Sequence, residues 1–307
     1  MAGVAAAALL ASGTAAGAEG TGEGAVPGPD LAIPDGRPMT GVQPGDVLRV
    51  PVKVTNKGDR PAAGVRVAIQ ASSGLEFVTR YEACTYTPLP RGYEYADCFF
   101  PDALAPGATF RLPRPLRMAV APDAYAERVD TSVAPGGDAE DADTGDNFST
   151  VEVAAENTAD FRVRRAELTG AAGQAVPLDL VTRNRGPATI ANLGSGEPVA
   201  LVDFRVPPGT SATAVPRRCA AMTRDGRPLP DQRTGAPRYW CRTPARVPAG
   251  ARVVFPFELT VERSLPEAAG RVRVRPADGG AAFPFDPVPG NDAAKVVVRG
   301  AGPGAVA

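Results

Sequence analysis

Six aromatic residues stand beside cysteines and could present rings to a ligand. Tyr81, Tyr86, Tyr93 and Tyr95 surround Cys84 and Cys98, and Tyr239 and Trp240 directly precede Cys241. A ring with a polar tip offers a large rigid face and a hydrogen bond, which suits sugars and protein surfaces. The competing use is internal, because small cores bury aromatic rings first and these could close a sandwich end over a disulfide. The internal use is the more ordinary one. The binding use is carried as a hypothesis, to be abandoned if Tyr93→Ala and Trp240→Ala variants bind cell-wall material like the parent.

A second candidate is the run GGDAEDADTGDN, with Asp138, Glu140, Asp141, Asp143 and Asp146. Clustered carboxylate oxygens are what Ca²⁺ requires, but the spacing departs from the twelve-residue calcium loop and Gly145 falls in the wrong place. The run reads first as a solvated hairpin tip. Asp286, Asn291 and Asp292 form a sparser counterpart, so a metal would belong to the first half alone.

Histidine is absent, which removes the commonest general base and most zinc-site designs. No carboxylate pair stands apart from ordinary surface charge, so no catalytic residue is assigned and no cofactor is expected. The chain carries 33 basic and 34 acidic residues, and no basic face is apparent along it. That balance argues against nucleic acid as a partner.

Four cysteines allow three pairings. Two fall in each half at matching positions, so Cys84–Cys98 and Cys219–Cys241 is the economical choice. Each bridge closes a local loop worth roughly 3 kcal/mol in the chain-entropy account. Spacing this wide does not suit Cys-x-x-Cys redox chemistry, and no histidine assists a metal.

The elements that must carry these residues are strands. Leu48, Val50, Val52 and Val54 alternate with Arg49, Pro51, Lys53 and Thr55, the period of a half-buried strand. Asn56-Lys57-Gly58 stops it, since Asn and Gly tolerate the left-handed backbone a turn needs. Val176, Leu178, Leu180 and Thr182, closed by Asn184-Arg185-Gly186, repeat the pattern. Gly45-Asp46 matches Gly173-Gln174, and Cys98 to Gly107 matches Cys241 to Gly250 with proline and glycine in register. Gly145-Asp146-Asn147 and Gly290-Asn291-Asp292 mark the tips of two closing hairpins. Pro113 and Pro115 cannot donate to a ladder, which places their segment at an edge or a bulge. Seven or eight short strands per half, punctuated by 33 Pro and 34 Gly, make an all-β chain of two tandem β-sandwiches.

Those residues carry a resemblance. Val52-Lys53-Val54-Thr55-Asn56-Lys57-Gly58 with Gly64-Val65-Arg66-Val67, the stretch Cys98 to Gly107, and Gly145-Asp146-Asn147 resemble the bacterial surface repeat of unknown function with an immunoglobulin-like fold. They also resemble its relative, the cell-adhesion-related domain of bacteria. Asn184 to Ala188, Cys241 to Gly250 and Gly290-Asn291-Asp292 carry the likeness into the second half, where the loop after Gly186 departs from it. The resemblance implies immunoglobulin-like sandwiches in exported proteins of stalks and adhesins, and supplies no catalytic residue.

Residues 1–18 end in Ala16-Gly17-Ala18 and read as a signal peptide lacking a basic start, followed by a flexible leader over 19–28. Sandwiches are expected over 29–156 and 157–300, with a disordered tail over 301–307. The linker, near 154–159, is short, so limited freedom between halves is expected. No stretch reaches the ~20 apolar residues of a membrane span. The expectation is an exported, extracellular or cell-surface, non-enzymatic spacer or adhesion module, with an unknown protein or a cell-wall glycan as partner. The alternative is a carbohydrate-binding accessory protein using the aromatic loop ends.

Overall fold

The computed structural model describes residues 27–300. The expected signal peptide, most of the leader and the tail lie outside the described residues. The first half contains β1 (Leu31–Ala32), β2 (Met39–Val42), β3 (Val47–Val50), β4 (Lys53–Asn56), β5 (Val65–Ala71), β6 (Leu75–Phe77), β7 (Cys84–Pro88), β8 (Glu94–Phe100), β9 (Thr109–Arg111), β10 (Leu116–Val120), β11 (Ala126–Pro135) and β12 (Phe148–Ala155). The second contains β13 (Phe161–Val163), β14 (Ala166–Gly170), β15 (Ala175–Asn184), β16 (Ile190–Ala191), β17 (Ala200–Arg205), β18 (Thr210–Ala214), β19 (Cys219–Met222), β20 (Arg238–Arg242), β21 (Arg246–Val247), β22 (Arg252–Val261), β23 (Ala268–Pro276) and β24 (Ala293–Gly300).

The fold is all-β, two immunoglobulin-like sandwiches in tandem. Each half has one six-stranded sheet, in the order β2-β12-β11-β5-β8-β7 and β14-β24-β23-β17-β20-β19. The orders correspond strand for strand, including the parallel pairs β2 with β12 and β14 with β24. The facing sheet of the second half is β13-β15-β22-β18. Two apolar clusters fill the sandwiches, one from Leu31 to Ala155 and one from Ala159 to Val298. Phe161, Phe204, Phe255 and Tyr239 are among the largest fully buried side chains, each worth about 2 kcal/mol or more in apolar burial.

In the first half the facing sheet is interrupted. Strand β4 pairs with β1 and β9, whereas β3 pairs with β10, which also pairs with β6. Lys53 faces Arg111 but Val50 faces Leu116, so the stretch Leu112 to Pro115 carries two residues more than Pro51-Val52 opposite. The single strand expected over Leu48 to Thr55 is therefore split. Pro51, Pro113 and Pro115 meet at the split, where none can donate to a ladder. Alternation of burial nevertheless continues through Val50, Val52 and Val54.

The turn that ends this strand is built by its asparagine. Asn56 is fully buried; its amide donates to the carbonyls of Arg60 and Leu104, both at 2.8 Å, and its Oδ1 accepts from the Gly58 amide at 3.0 Å. Asn184 does the same with Ala188 at 2.7 Å, Val247 at 3.1 Å and the Gly186 amide at 3.2 Å. The glycines serve close approach and not left-handed backbone, since neither has a positive φ. A Cβ on Gly58 would lie 2.1 Å from the Gly28 carbonyl oxygen, and one on Gly186 would lie 2.2 Å from Ala159 Cα.

Candidate functional site

Each disulfide joins directly opposed residues of an edge strand and its neighbour. Cys84 on β7 faces and bonds Cys98 on β8, and Cys219 on β19 faces and bonds Cys241 on β20. The bridges thus staple the open edge of each six-stranded sheet and do not tie the two sheets together.

Two rings read as candidate binders belong to the core. Tyr81 is buried, donates its hydroxyl to the Arg114 carbonyl at 2.9 Å, and has its pKa pushed up to about 12 by burial. Tyr239 is fully buried; its hydroxyl accepts from the Ala236 amide at 2.9 Å, and its ring meets Phe257 edge-on. Period-two alternation decides this, since Tyr239 and Cys241 share the inner face of β20. Tyr86 is half-buried, accepts from the Tyr81 amide at 3.0 Å, and packs edge-on to Phe77 under the Arg80 guanidinium. Tyr93 and Tyr95 are half-buried. Burial also raises the Tyr93 pKa.

The acidic run is not a free hairpin tip. Asp141 accepts from the Leu31 amide at 2.9 Å, Asp143 accepts from the Gly145 amide at 2.9 Å, and Asp146 holds Lys57 at 2.6 Å. The run thus ties β1 to the long loop before β12. Asp138 and Glu140 remain exposed. Among the described residues no group of three or more His, Cys, Asp or Glu side chains is arranged to hold a metal ion. In the second half Asp286 repeats the role of Asp141, accepting from the Phe161 amide at 2.9 Å. Beside it Asp292 is 3% exposed with Oδ1 unpartnered, and its pKa is raised to about 7 by burial and then by the charge of Asp286.

Charge is segregated between the halves. Residues 27–156 hold 12 basic and 19 acidic side chains, and residues 157–300 hold 21 and 13. The near-zero total therefore conceals about −7 against +8, and the absence of a basic face expected from the sequence is corrected here. On the outer face of the second six-stranded sheet, cross-strand register puts Lys295 opposite Arg271, Arg271 opposite Arg205, and Arg205 opposite Arg238. Four cations thus form one row across β24, β23, β17 and β20. Arg273 and Arg275 extend the face along β23, and Trp240 lies beside Asp203 in the next row.

One carboxylate answers this row. Arg238 grips Asp203 through both oxygens, with its Nε at 2.7 Å from Oδ1. Among the described residues, Arg205, Arg271, Arg273, Arg275 and Lys295 have no ion-pair partner within 4 Å. Trp240 lies under them, with the Arg275 guanidinium 4.2 Å and that of Arg238 5.5 Å from its ring centroid. The Nε atoms of Trp240 and Arg275 are buried without an acceptor. The same face of the first half is balanced instead, by Arg66 with Asp97 and Arg128 with Asp130.

Two cavities lie on this basic face and a third adjoins them. One of about 700 Å³ is lined by Arg205, Arg238, Arg271 and Lys295. One of about 290 Å³ adds Asp203, Trp240, Arg273 and Arg275. The adjoining one, of about 900 Å³, meets them at Trp240 and runs past Arg242 to Tyr125 and Phe285 at the junction of the halves; it is mostly apolar and carries Glu197 and Asp278.

That junction is tightly made. Thr189 donates its hydroxyl to Asp123 at 2.6 Å and its amide to the Asp123 carbonyl at 2.8 Å. The Asn157 amide group donates to the carbonyls of Pro122 and Ala124, at 3.1 and 2.9 Å. The Tyr125 ring meets Phe285 edge-on at 5.5 Å.

No family description matches the sequence, and no curated protein matches it. Solved structures similar to parts of the chain include a CARDB domain from Pyrococcus furiosus, at 15% identity, covering 42% of this chain and 89% of that one, with a TM-score of 0.29. The C-terminal domain of the AgI/II polypeptide BspA from Streptococcus agalactiae is 10% identical, covers 88% of this chain and 99% of its own, and has a TM-score of 0.23. A cohesin of ScaC from Acetivibrio cellulolyticus is 14% identical over 41% of this chain and 99% of its own, with a TM-score of 0.28. With TM-scores this low the fold stands on the strand registers alone. Among the described residues no helix is long and apolar enough to cross a membrane.

Proposed function

We propose that this chain is an exported, non-enzymatic protein of the bacterial cell envelope, a stiff two-sandwich spacer that presents an interaction surface. The sandwiches are assigned to residues 29–156 and 157–300. The junction carries the reading. Side chains of Asp123 and Tyr125 reach across to Thr189 and Phe285, and Asn157 in the linker is held by two carbonyls of the first half. A linker between freely moving modules would leave those donors to water. Two edge disulfides support an oxidising compartment, where such bonds form and persist.

A non-enzymatic role has the support of the buried carboxylates. Glu127 is committed to the Ser72 hydroxyl and the Gly74 amide, and neither Glu127 nor Asp292 lines the three cavities described above. Carbohydrate binding through aromatic loop ends loses Tyr81 and Tyr239 to the core. Spin labels placed on one exposed site in each half test the spacer reading. A narrow distance distribution is expected for the parent and a broad one for Tyr125→Ala combined with Asn157→Ala. A parent distribution as broad as the variant's would sink it.

A further inference from the structure

We propose that the outer face of the sheet β14-β24-β23-β17-β20-β19 binds an extended acidic polysaccharide, held by Lys295, Arg271 and Arg205, the three unpaired cations of the cross-strand row. This inference rests on the interaction-module reading and names the chemistry of the partner.

The row is costly without an anion. Like charges directly opposite one another destabilise a sheet, and here three successive pairs are alike. Asp203 meets only part of that charge, and it is held by Arg238 at both oxygens. The equivalent face of the first half shows that this fold does not demand such an arrangement, since its arginines have carboxylate partners. Guanidinium forks match sulfate, phosphate and carboxylate groups.

The shape of the face favours a chain over a small anion. Three inter-strand steps of about 4.8 Å stretch the row over roughly 14 Å. The 700 and 290 Å³ cavities share Arg205, Arg238 and Arg271, so a polymer can lie continuously through both.

Two features turn the choice from nucleic acid and lipid to a glycan. Single-stranded nucleic acid is held on bare aromatic platforms, and the Trp240 ring already carries two guanidinium groups. Interfacial binding to lipid uses apolar side chains beside the charges, and the outward residues of β23 are Ala269, Arg271, Arg273 and Arg275. Trp240 is a positioning residue here, keeping Arg275 and Arg238 flat against the sheet.

The test measures binding of the full chain to fluorescent dextran sulfate, neutral dextran, oligothymidylate and phosphatidylglycerol vesicles. Dextran sulfate should bind and neutral dextran should not. Three contacts on a flexible polyanion predict about a 20-fold loss of affinity between ~50 and ~200 mM salt. Arg205→Gln with Arg271→Gln should weaken binding about tenfold or more. Arg183→Gln with Arg252→Gln removes the same charge from the facing sheet, where both are exposed, and should change binding less than about twofold. Trp240→Phe should weaken dextran sulfate binding less than the double Arg variant does. Equal losses in both double variants would reduce the site to diffuse charge and overturn the proposal, as would tighter binding of oligothymidylate or of the vesicles. Absence of any polyanion binding, with a narrow spin-label distribution retained, would remove this proposal and leave the spacer reading intact. A broad spin-label distribution with site-dependent dextran sulfate binding would do the reverse.

Discussion

Replacing Asp292 with Asn should flatten the pH dependence of stability. Asp292 is 3% exposed, its Oδ1 has no partner, and its pKa rises from 3.8 to about 7 through burial and then the charge of Asp286, with Arg273 opposing. The folded state therefore keeps a proton that the unfolded chain gives up. Stability from this group is complete below about pH 4, is lost as pH rises, and levels off above about pH 7. A shift of about three units corresponds to about 4 kcal/mol, an upper size for the loss. Asn has no charge to desolvate, and the matched position in the first half is already Asn147. An imperfectly satisfied amide costs about 1–2 kcal/mol of that gain. The variant should equal or fall slightly below the parent near pH 4 and exceed it by about 2–3 kcal/mol near pH 8. Urea unfolding at both pH values, followed by the fluorescence of Trp240, the one tryptophan in the chain, measures the difference in the half that carries it. Parallel stability curves for parent and variant would refute the burial argument.

Other expectations follow from the packing. Asn56→Ala and Asn184→Ala each remove two side-chain hydrogen bonds to carbonyls and leave a glycine amide without its acceptor, Asn56→Ala the Asp30 amide as well, and should each cost about 3 kcal/mol in chemical denaturation. Gly186→Ala should lose about 3 kcal/mol or more because its Cβ would lie 2.2 Å from Ala159 Cα, whereas Gly290→Ala, with nothing within 4 Å, should stay within about 0.5 kcal/mol; thermal melts of the two decide it. Cys219→Ser with Cys241→Ser opens a bridge of sequence separation 22 and should cost about 3 kcal/mol, measured by urea unfolding of parent and variant side by side without reductant.

Much of the architecture is written in short-range pattern. The alternation of Val50, Val52 and Val54, the paired Asn-x-Gly turns and the matched cysteines each depend on residues within a few positions of one another, so they can be read in a line. Where such reading slipped, a distant partner decided. Gly58 and Gly186 look like left-handed turn residues, yet it is the backbone of Gly28 or Ala159 that forbids a side chain there. Tyr239 and Trp240 look like one aromatic pair, yet adjacent positions on a strand face opposite ways, so one is core and the other lies beneath arginines. The acidic run looks solvated until the Leu31 amide is found on Asp141.

By itself the sequence settled the class of fold, its duplication and the segments that end each strand, because strand period and turn chemistry are local. The tertiary structure alone decided where the charge collects. Arg205, Arg238 and Arg271 come from segments more than thirty residues apart, and only the hydrogen-bond register of β23, β17 and β20 brings them side by side. Register is a property of pairs of strands, fixed by which faces are buried, and no single stretch of chain contains it.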